Sequence, residues 1–112
     1  MNAGFGQGIA VGILFSVATL VFPAGARADD DAAKIYKTNC VSCHAADGSG
    51  NSTAGKALGA KDLRSGEVQK KSDAELAQII TTGKNKMPAF GKKVKAEDIQ
   101  QLVAFIRTLA KK

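Results

Sequence analysis

The sequence predicts a small helical domain. Stretches with a helical apolar period stand at both ends of residues 29–112, a capping signature opens a third helix between them, and no strand pattern surrounds the cysteines. The 112 residues suffice for one small domain, and the first 28 read as a secretory signal peptide. Residues 9–23 are almost wholly apolar, yet too short and glycine-broken for a membrane span. Ala26 and Ala28 form an A-x-A cleavage site ahead of Asp29. The n-region departs from the pattern, because no Lys or Arg precedes Ile9, and an uncleaved N-terminal anchor is the alternative reading. Cleavage between Ala28 and Asp29 removes Arg27, so sixteen basic side chains become fifteen against ten acidic ones, a net charge of +5. A domain of residues 29–112 buries too little apolar surface to be comfortably stable alone, and a further apolar body in its core is expected.

The first helix opens on Asp29, Asp30 and Asp31, carboxylates suited to the unpaired N–H groups of a helix start. Tyr36, Cys40, Cys43 and His44 follow at i, i+4, i+7 and i+8, so one face presents an aromatic ring, two thiols and an imidazole. Tyr36 is expected to be a core aromatic with its hydroxyl at the surface. Cys40-Val41-Ser42-Cys43-His44 is a C-x-x-C-H run, the spacing of covalent haem c attachment. Each thiol can bond a vinyl-derived carbon on one porphyrin edge, and the histidine after the second cysteine then lies beneath the ring, able to bind iron. A bare C-x-x-C could be a thiol–disulfide pair, but the βαβ pattern that usually carries one is missing. Tetrahedral zinc wants about four ligands, and the chain has no second cysteine pair.

The remaining ligand inventory is short. His44 is the only histidine, and Met1 and Met87 are the only methionines. A haem held by Cys40, Cys43, His44 and Met87 uses every such side chain in residues 29–112, with lysine amines the remaining strong ligands for iron.

Asp47-Gly48-Ser49-Gly50-Asn51, then Gly55, Gly59 and Gly66, mark a turn-rich loop expected to wrap the ring edge, with Leu58 and Leu63 as its apolar contacts. Its G-x-G is no phosphate loop, since no strand precedes it and no G-x-x-x-x-G-K-[ST] follows. Ser72-Asp73-Ala74-Glu75 is a capping box, starting a helix that buries Leu76, Ile79 and Ile80 and stops at Gly83. Pro88 fixes its own φ and biases Met87 toward extended geometry, so the thioether stands on a stiff loop. Methionine is more often a gap-filler in a core; beside a haem motif, ligation is the expected role. The last helix, residues 96–109, carries Ile99, Leu102, Val103 and Ile106 at i, i+3, i+4 and i+7, with Phe105 and Leu109 widening the stripe. Glu97 and Asp98 suit its start and Lys111 and Lys112 its end, while Lys95 stands where a capping side chain is expected. There are no repeats, no second domain and no low-complexity tail.

With these elements in place, the chain resembles the small bacterial class I cytochromes c over essentially all of residues 29–112. The shared features are a helix into C-x-x-C-H, a glycine-rich loop, a capped helix, Met87-Pro88-Ala89-Phe90 and a C-terminal helix. The resemblance implies an all-α class I cytochrome c fold, with three to four helices wrapped around one haem c joined to Cys40 and Cys43. It implies that the terminal helices cross where Ala32 and Tyr36 meet Leu102 and Phe105. It also implies axial ligation by His44 and Met87 and a soluble one-electron carrier, not an enzyme. Because haem c is attached outside the cytoplasm, the periplasm is the expected location. Many members use a proline near residues 45–71 to position the carbonyl that accepts the histidine ring N–H; this chain has none there. The expected partners are redox proteins with an acidic docking face, met by Lys84, Lys86, Lys92 and Lys93 around the Met87 loop. No nucleic acid, no stable membrane insertion after cleavage and a monomeric state are expected. Two alternatives stand: a membrane-anchored haem c donor domain of a larger respiratory or oxidoreductase complex, and a haem enzyme or gas sensor with a displaceable Met87.

Overall fold

The computed structural model describes residues 3, 4, 6, 8–21 and 25–111, the side chains of residues 25–27 excepted. Met1, Pro23, the side chains of Ala26 and Arg27, and Lys112 therefore lie outside the described residues. The regular elements among the described residues are six helices: α1 Gly25–Asn39, α2 Val41–His44, α3 Thr53–Leu58, α4 Gly66–Gln69, α5 Asp73–Thr82 and α6 Ala96–Thr108. The long α1, α5 and α6 are the helices that the periodicity predicts. The other three are four to six residues long, too short to show a period. The stretch read as loop folds into α3 and α4 because serines cap both. The Ser52 hydroxyl accepts from the Gly55 N–H and the Ser65 hydroxyl from the Val68 N–H, and Gly59 closes α3 at φ 69°.

α1 corrects the expected helix start. It begins at Gly25, so Asp29, Asp30 and Asp31 fall in its second turn, away from the unpaired N–H groups. In the uncleaved chain the residues before Asp29 are still attached and take up the first turn themselves. Residues 8–21 form no regular structure and do not pack on the domain; Leu14 is 96% exposed. No helix among the described residues is long and apolar enough to cross a membrane.

The most extensive helix contact is that of α1 with α6. Ala32, 1% exposed, lets the backbones approach, and the Tyr36 and Phe105 rings meet with centroids 5.0 Å apart and planes at 45°. All four residues of the α6 stripe, Ile99, Leu102, Val103 and Ile106, are buried. The capping box of α5 forms as read: the Ser72 N–H donates to Glu75 Oε2 at 2.7 Å, and the Glu75 N–H to the Ser72 hydroxyl at 3.1 Å. Lys95 precedes α6 without a side-chain cap. Arg107 ties α6 to the α4–α5 junction, donating to the carbonyls of Gln69 (2.8 Å) and Lys71 (2.5 Å) and to Asp73 Oδ1 (2.8 Å). Asp73 is mostly exposed, so the pair with it contributes little and the two carbonyl bonds carry the junction.

Asp62 makes the acid side of the stability profile predictable. A hydrogen bond from the Arg64 guanidinium (Nε–Oδ1 2.9 Å), helped by the Arg64 N–H and Lys111, holds its carboxyl down at about 2, against an ordinary 3.8. Hydrogen bonds from Ser49, Lys61 and Ser72 lower Asp47, Glu67 and Glu75 in turn. Each group is depressed in the folded state, so its contribution is present above the unfolded value and lost as pH falls through the folded one. The melting temperature should therefore drop as pH falls from roughly 4 to 2, and the drop should be shallower in Asp62→Asn. A profile unchanged by that substitution would contradict the assignment.

Candidate functional site

Every helix contributes to the wall of one cavity of about 360 Å³, within the roughly 300–1,000 Å³ range of cofactor and ligand sites. Leu63, Val68, Leu76, Ile80, Leu102 and Ile106 give it an apolar lining, and Leu58, 45% exposed, stands at its rim. Cys40, Cys43, His44 and Met87 all line it, although Met87 is more than forty positions from the other three.

α1 and α2 keep one helical register across the turn at Cys40. The Cys40 N–H donates to the Tyr36 carbonyl at 2.8 Å and the His44 N–H to the Cys40 carbonyl at 2.8 Å. A four-residue helix leaves its last carbonyls without partners, and here each finds one. Val41 O accepts from the Ala45 N–H (2.9 Å) and His44 O from the Gly50 N–H (2.7 Å). The Ser52 hydroxyl lies 2.8 Å from Ser42 O and 3.0 Å from Cys43 O. Gly55 is buried against this turn, where a Cβ would collide with the Cys43 carbonyl oxygen. Tyr36 departs from expectation: it is 2% exposed, and its hydroxyl donates to the Ala45 carbonyl at 2.7 Å instead of reaching the surface. Burial, then the nearby Cys40 and Asp47, pushes that phenol up to about 12.

His44 Nδ1 lies 3.0 Å from the Lys61 carbonyl oxygen. A carbonyl only accepts, so Nδ1 carries the proton and Nε2 keeps its lone pair for a metal. Lys61 thus supplies the carbonyl that many class I cytochromes c position with a proline. The segment is fixed instead by the Leu63 N–H donating to Gly48 O (2.7 Å), the Ala60 N–H donating to Gly55 O (2.8 Å), and Gly50, whose Cβ would come within 2.7 Å of Ala60 O. Burial, then Cys43, raises the Cys40 thiol to about 11, and both cysteines are free of a disulfide. Thiol–disulfide exchange cysteines have depressed values, so the Cys40 thiol suits an apolar wall better than that chemistry. Among the described residues no group of three or more His, Cys, Asp or Glu is placed to hold a metal ion.

Met87 is held by more than Pro88. Reciprocal backbone bonds join Lys84 and Met87 (3.1 and 2.9 Å), with Asn85 at φ 53° between them. Gly83 sits at φ 76°, where a Cβ would come within 2.7 Å of the Met87 carbonyl oxygen. The N–H groups of Phe90 and Gly91 donate back to Ile80 and Thr81 of α5. Lys84 and Lys86 flank Met87 on the cavity wall, while Lys92 and Lys93 are exposed in the segment that follows, Lys93 Nζ lying 5.7 Å from the Phe90 ring centroid. Two thiols, an imidazole with a free Nε2 and a thioether on the wall of an apolar cavity fit a covalently attached haem.

Residues 27–106 match the family described as "Cytochrome C oxidase, cbb3-type, subunit III". The chain is 37% identical over 104 residues to cytochrome c6 of Nostoc sp. (strain PCC 7120), spanning 84% of this chain and 86% of that one. It is 34% identical over 89 residues to the "Cbb3-type cytochrome c oxidase subunit FixP" of Azorhizobium caulinodans, spanning 78% of this chain but 29% of that one. The solved KustC0563 c-type cytochrome is similar with a TM-score of 0.65 and 34% identity, covering 72% of this chain and 99% of its own.

Proposed function

The chain belongs to the small monohaem class I cytochromes c and is a haem c electron carrier; we propose that His44 and Met87 are its axial ligands. One observation carries this reading: both side chains line the cavity that Cys40 and Cys43 line, with His44 Nδ1 already bonded to Lys61 O. When bound, haem c supplies a one-electron iron couple. Cys40 and Cys43 fix it as thioethers, and His44 offers Nε2 with its ring plane held by Lys61 O. Met87 offers a soft thioether that favours the reduced state, and the apolar wall disfavours the additional charge of the oxidised one, so both raise the potential. If His44 and Met87 both held the iron, the site would leave no place for a substrate, which suits a carrier better than a haem enzyme or gas sensor.

The partners are redox proteins, and the proposed docking face is basic. Lys61 is paired with Glu67 at 3.2 Å, whereas Lys84, Lys86, Lys92 and Lys93 form no ion pair among the described residues and are exposed around the Met87 loop. Such a ring steers an acidic partner, raising association rates by roughly 10- to 10³-fold and weakening as salt rises. The second-order rate of electron transfer should fall steeply along an ionic-strength series. The Lys84→Glu, Lys86→Glu double variant should fall more shallowly. A flat native profile would mean apolar docking.

Export follows from the A-x-A site, and a mature monomer of residues 29–112 is proposed. The second reading, a donor domain anchored to a larger complex, is favoured by the exposed apolar residues 8–21 and by the likeness to a short part of FixP. Intact mass separates the two. Residues 29–112 plus one haem, with no titratable thiol, is the expected result; retention of residues 9–21 would replace the free carrier with the anchored one.

A further inference from the structure

Ala45 carries a backbone conformation that its side chain disfavours. At φ 64° and ψ 164° it occupies a region that is essentially restricted to glycine, and such residues persist only where their surroundings hold them. It follows His44 directly. Its N–H closes the end of α2 on Val41 O at 2.9 Å, and its carbonyl accepts the Tyr36 hydroxyl at 2.7 Å and the Gly48 N–H at 3.2 Å. The reversal at Ala45 brings the Gly50 N–H onto His44 O and leaves His44 Nδ1 facing Lys61 O. Tyr36 is itself buried, packed against Phe105 at the α1–α6 crossing. Phenylalanine would fill the same space against Phe105, so what tyrosine adds is the hydroxyl.

We propose that Tyr36 is a positioning residue for His44, its hydroxyl holding Ala45 in the glycine-like conformation that sets the orientation of the imidazole. The proposal rests on His44 being an axial ligand. Its distinguishing consequence is that glycine at position 45, which adopts that conformation unaided, makes the hydroxyl dispensable. A tyrosine that merely satisfies its own buried hydroxyl would lose as much by Tyr36→Phe with glycine at 45 as with alanine.

The test compares holoprotein of the native chain, Tyr36→Phe, Ala45→Gly and the double variant. The readouts are the electron paramagnetic resonance anisotropy of the oxidised state, which reports imidazole orientation, and the midpoint potential. Tyr36→Phe should shift the anisotropy and raise the potential, because a weakened Nδ1–H bond to Lys61 O makes the imidazole a poorer donor. Ala45→Gly should change neither, and the double variant should return to the native values. A shift of equal size in both backgrounds, or no shift in Tyr36→Phe, overturns the proposal. If Tyr36→Phe takes up no haem, recovery of holoprotein in the double variant supports it and continued loss overturns it. A native protein without a histidine-ligated low-spin signal overturns the axial assignment of His44 before any variant is made, which keeps the two failures apart.

Discussion

Met87→Ala is expected to leave the iron with a vacant sixth position. The variant should lose the weak near-red iron–sulfur band of the oxidised protein, bind carbon monoxide when reduced, and fall in midpoint potential. A fall on the order of 100 mV or more is expected, a fraction of the roughly 0.8 V that axial ligation spans in haem proteins. The reasoning is structural as well as chemical. Met87 stands on a turn closed by two backbone bonds with Lys84 and tied to α5 through Phe90 and Gly91, so truncating its side chain leaves the loop standing. Holoprotein should therefore still form, and the lost band would report the ligand and not a collapsed fold. Retention of the band would refute the assignment. Lysine amines are the remaining strong ligands, with Lys84 and Lys86 nearest in sequence, so a substitute ligation at high pH should disappear when both are replaced.

Gly55→Ala should be strongly destabilising. The added Cβ would strike the Cys43 carbonyl oxygen and lie within 2.5 Å of Gly50 O and 2.8 Å of the Ser52 hydroxyl. Two of those atoms are backbone, so relief requires α3 to move away from the haem-binding turn and Ser52 to release the α2 carbonyls. Overpacking against backbone should cost about 3 kcal/mol or more, a large share of the roughly 5–15 kcal/mol that holds a domain folded. The denaturant midpoint and the yield of holoprotein should both fall. Gly66→Ala is the control: nothing lies within 4 Å of the added Cβ, and stability should stay within about 1 kcal/mol. Equal effects from the two would show that the contact at Gly55 does not matter.

These residues also mark how far the sequence could be read. The spacing of Cys40, Cys43 and His44 encodes a geometry, because helical register alone places three side chains on one face. The capping box at Ser72 and the stripe from Ile99 to Ile106 are equally local, and the structure holds them as read. Gly55 was legible only as a turn former, yet it lies inside α3 and is required by the Cys43 carbonyl beside it. The Lys61 carbonyl could not be found, because a backbone acceptor seventeen residues from His44 leaves no mark in side-chain identity. The lack of proline in residues 45–71 pointed only to a different means of fixing it. The spacing of Tyr36 is enough to put it in the core, but its hydroxyl partner depends on a reversal at Ala45 that alanine does not announce. The start of α1 differs for another reason: carboxylates mark a helix start only where no residue before them can continue the helix, and here α1 already begins at Gly25.

The central claim is that Cys40, Cys43, His44 and Met87 together hold one haem with both axial positions filled. The absorption spectrum of the native protein tests it most directly, recorded oxidised and then reduced under carbon monoxide. The account predicts a haem that survives acid–organic extraction, a near-red band in the oxidised state, and no spectral change on adding carbon monoxide. An extractable haem, an absent near-red band or ready carbon monoxide binding by the native protein would contradict it.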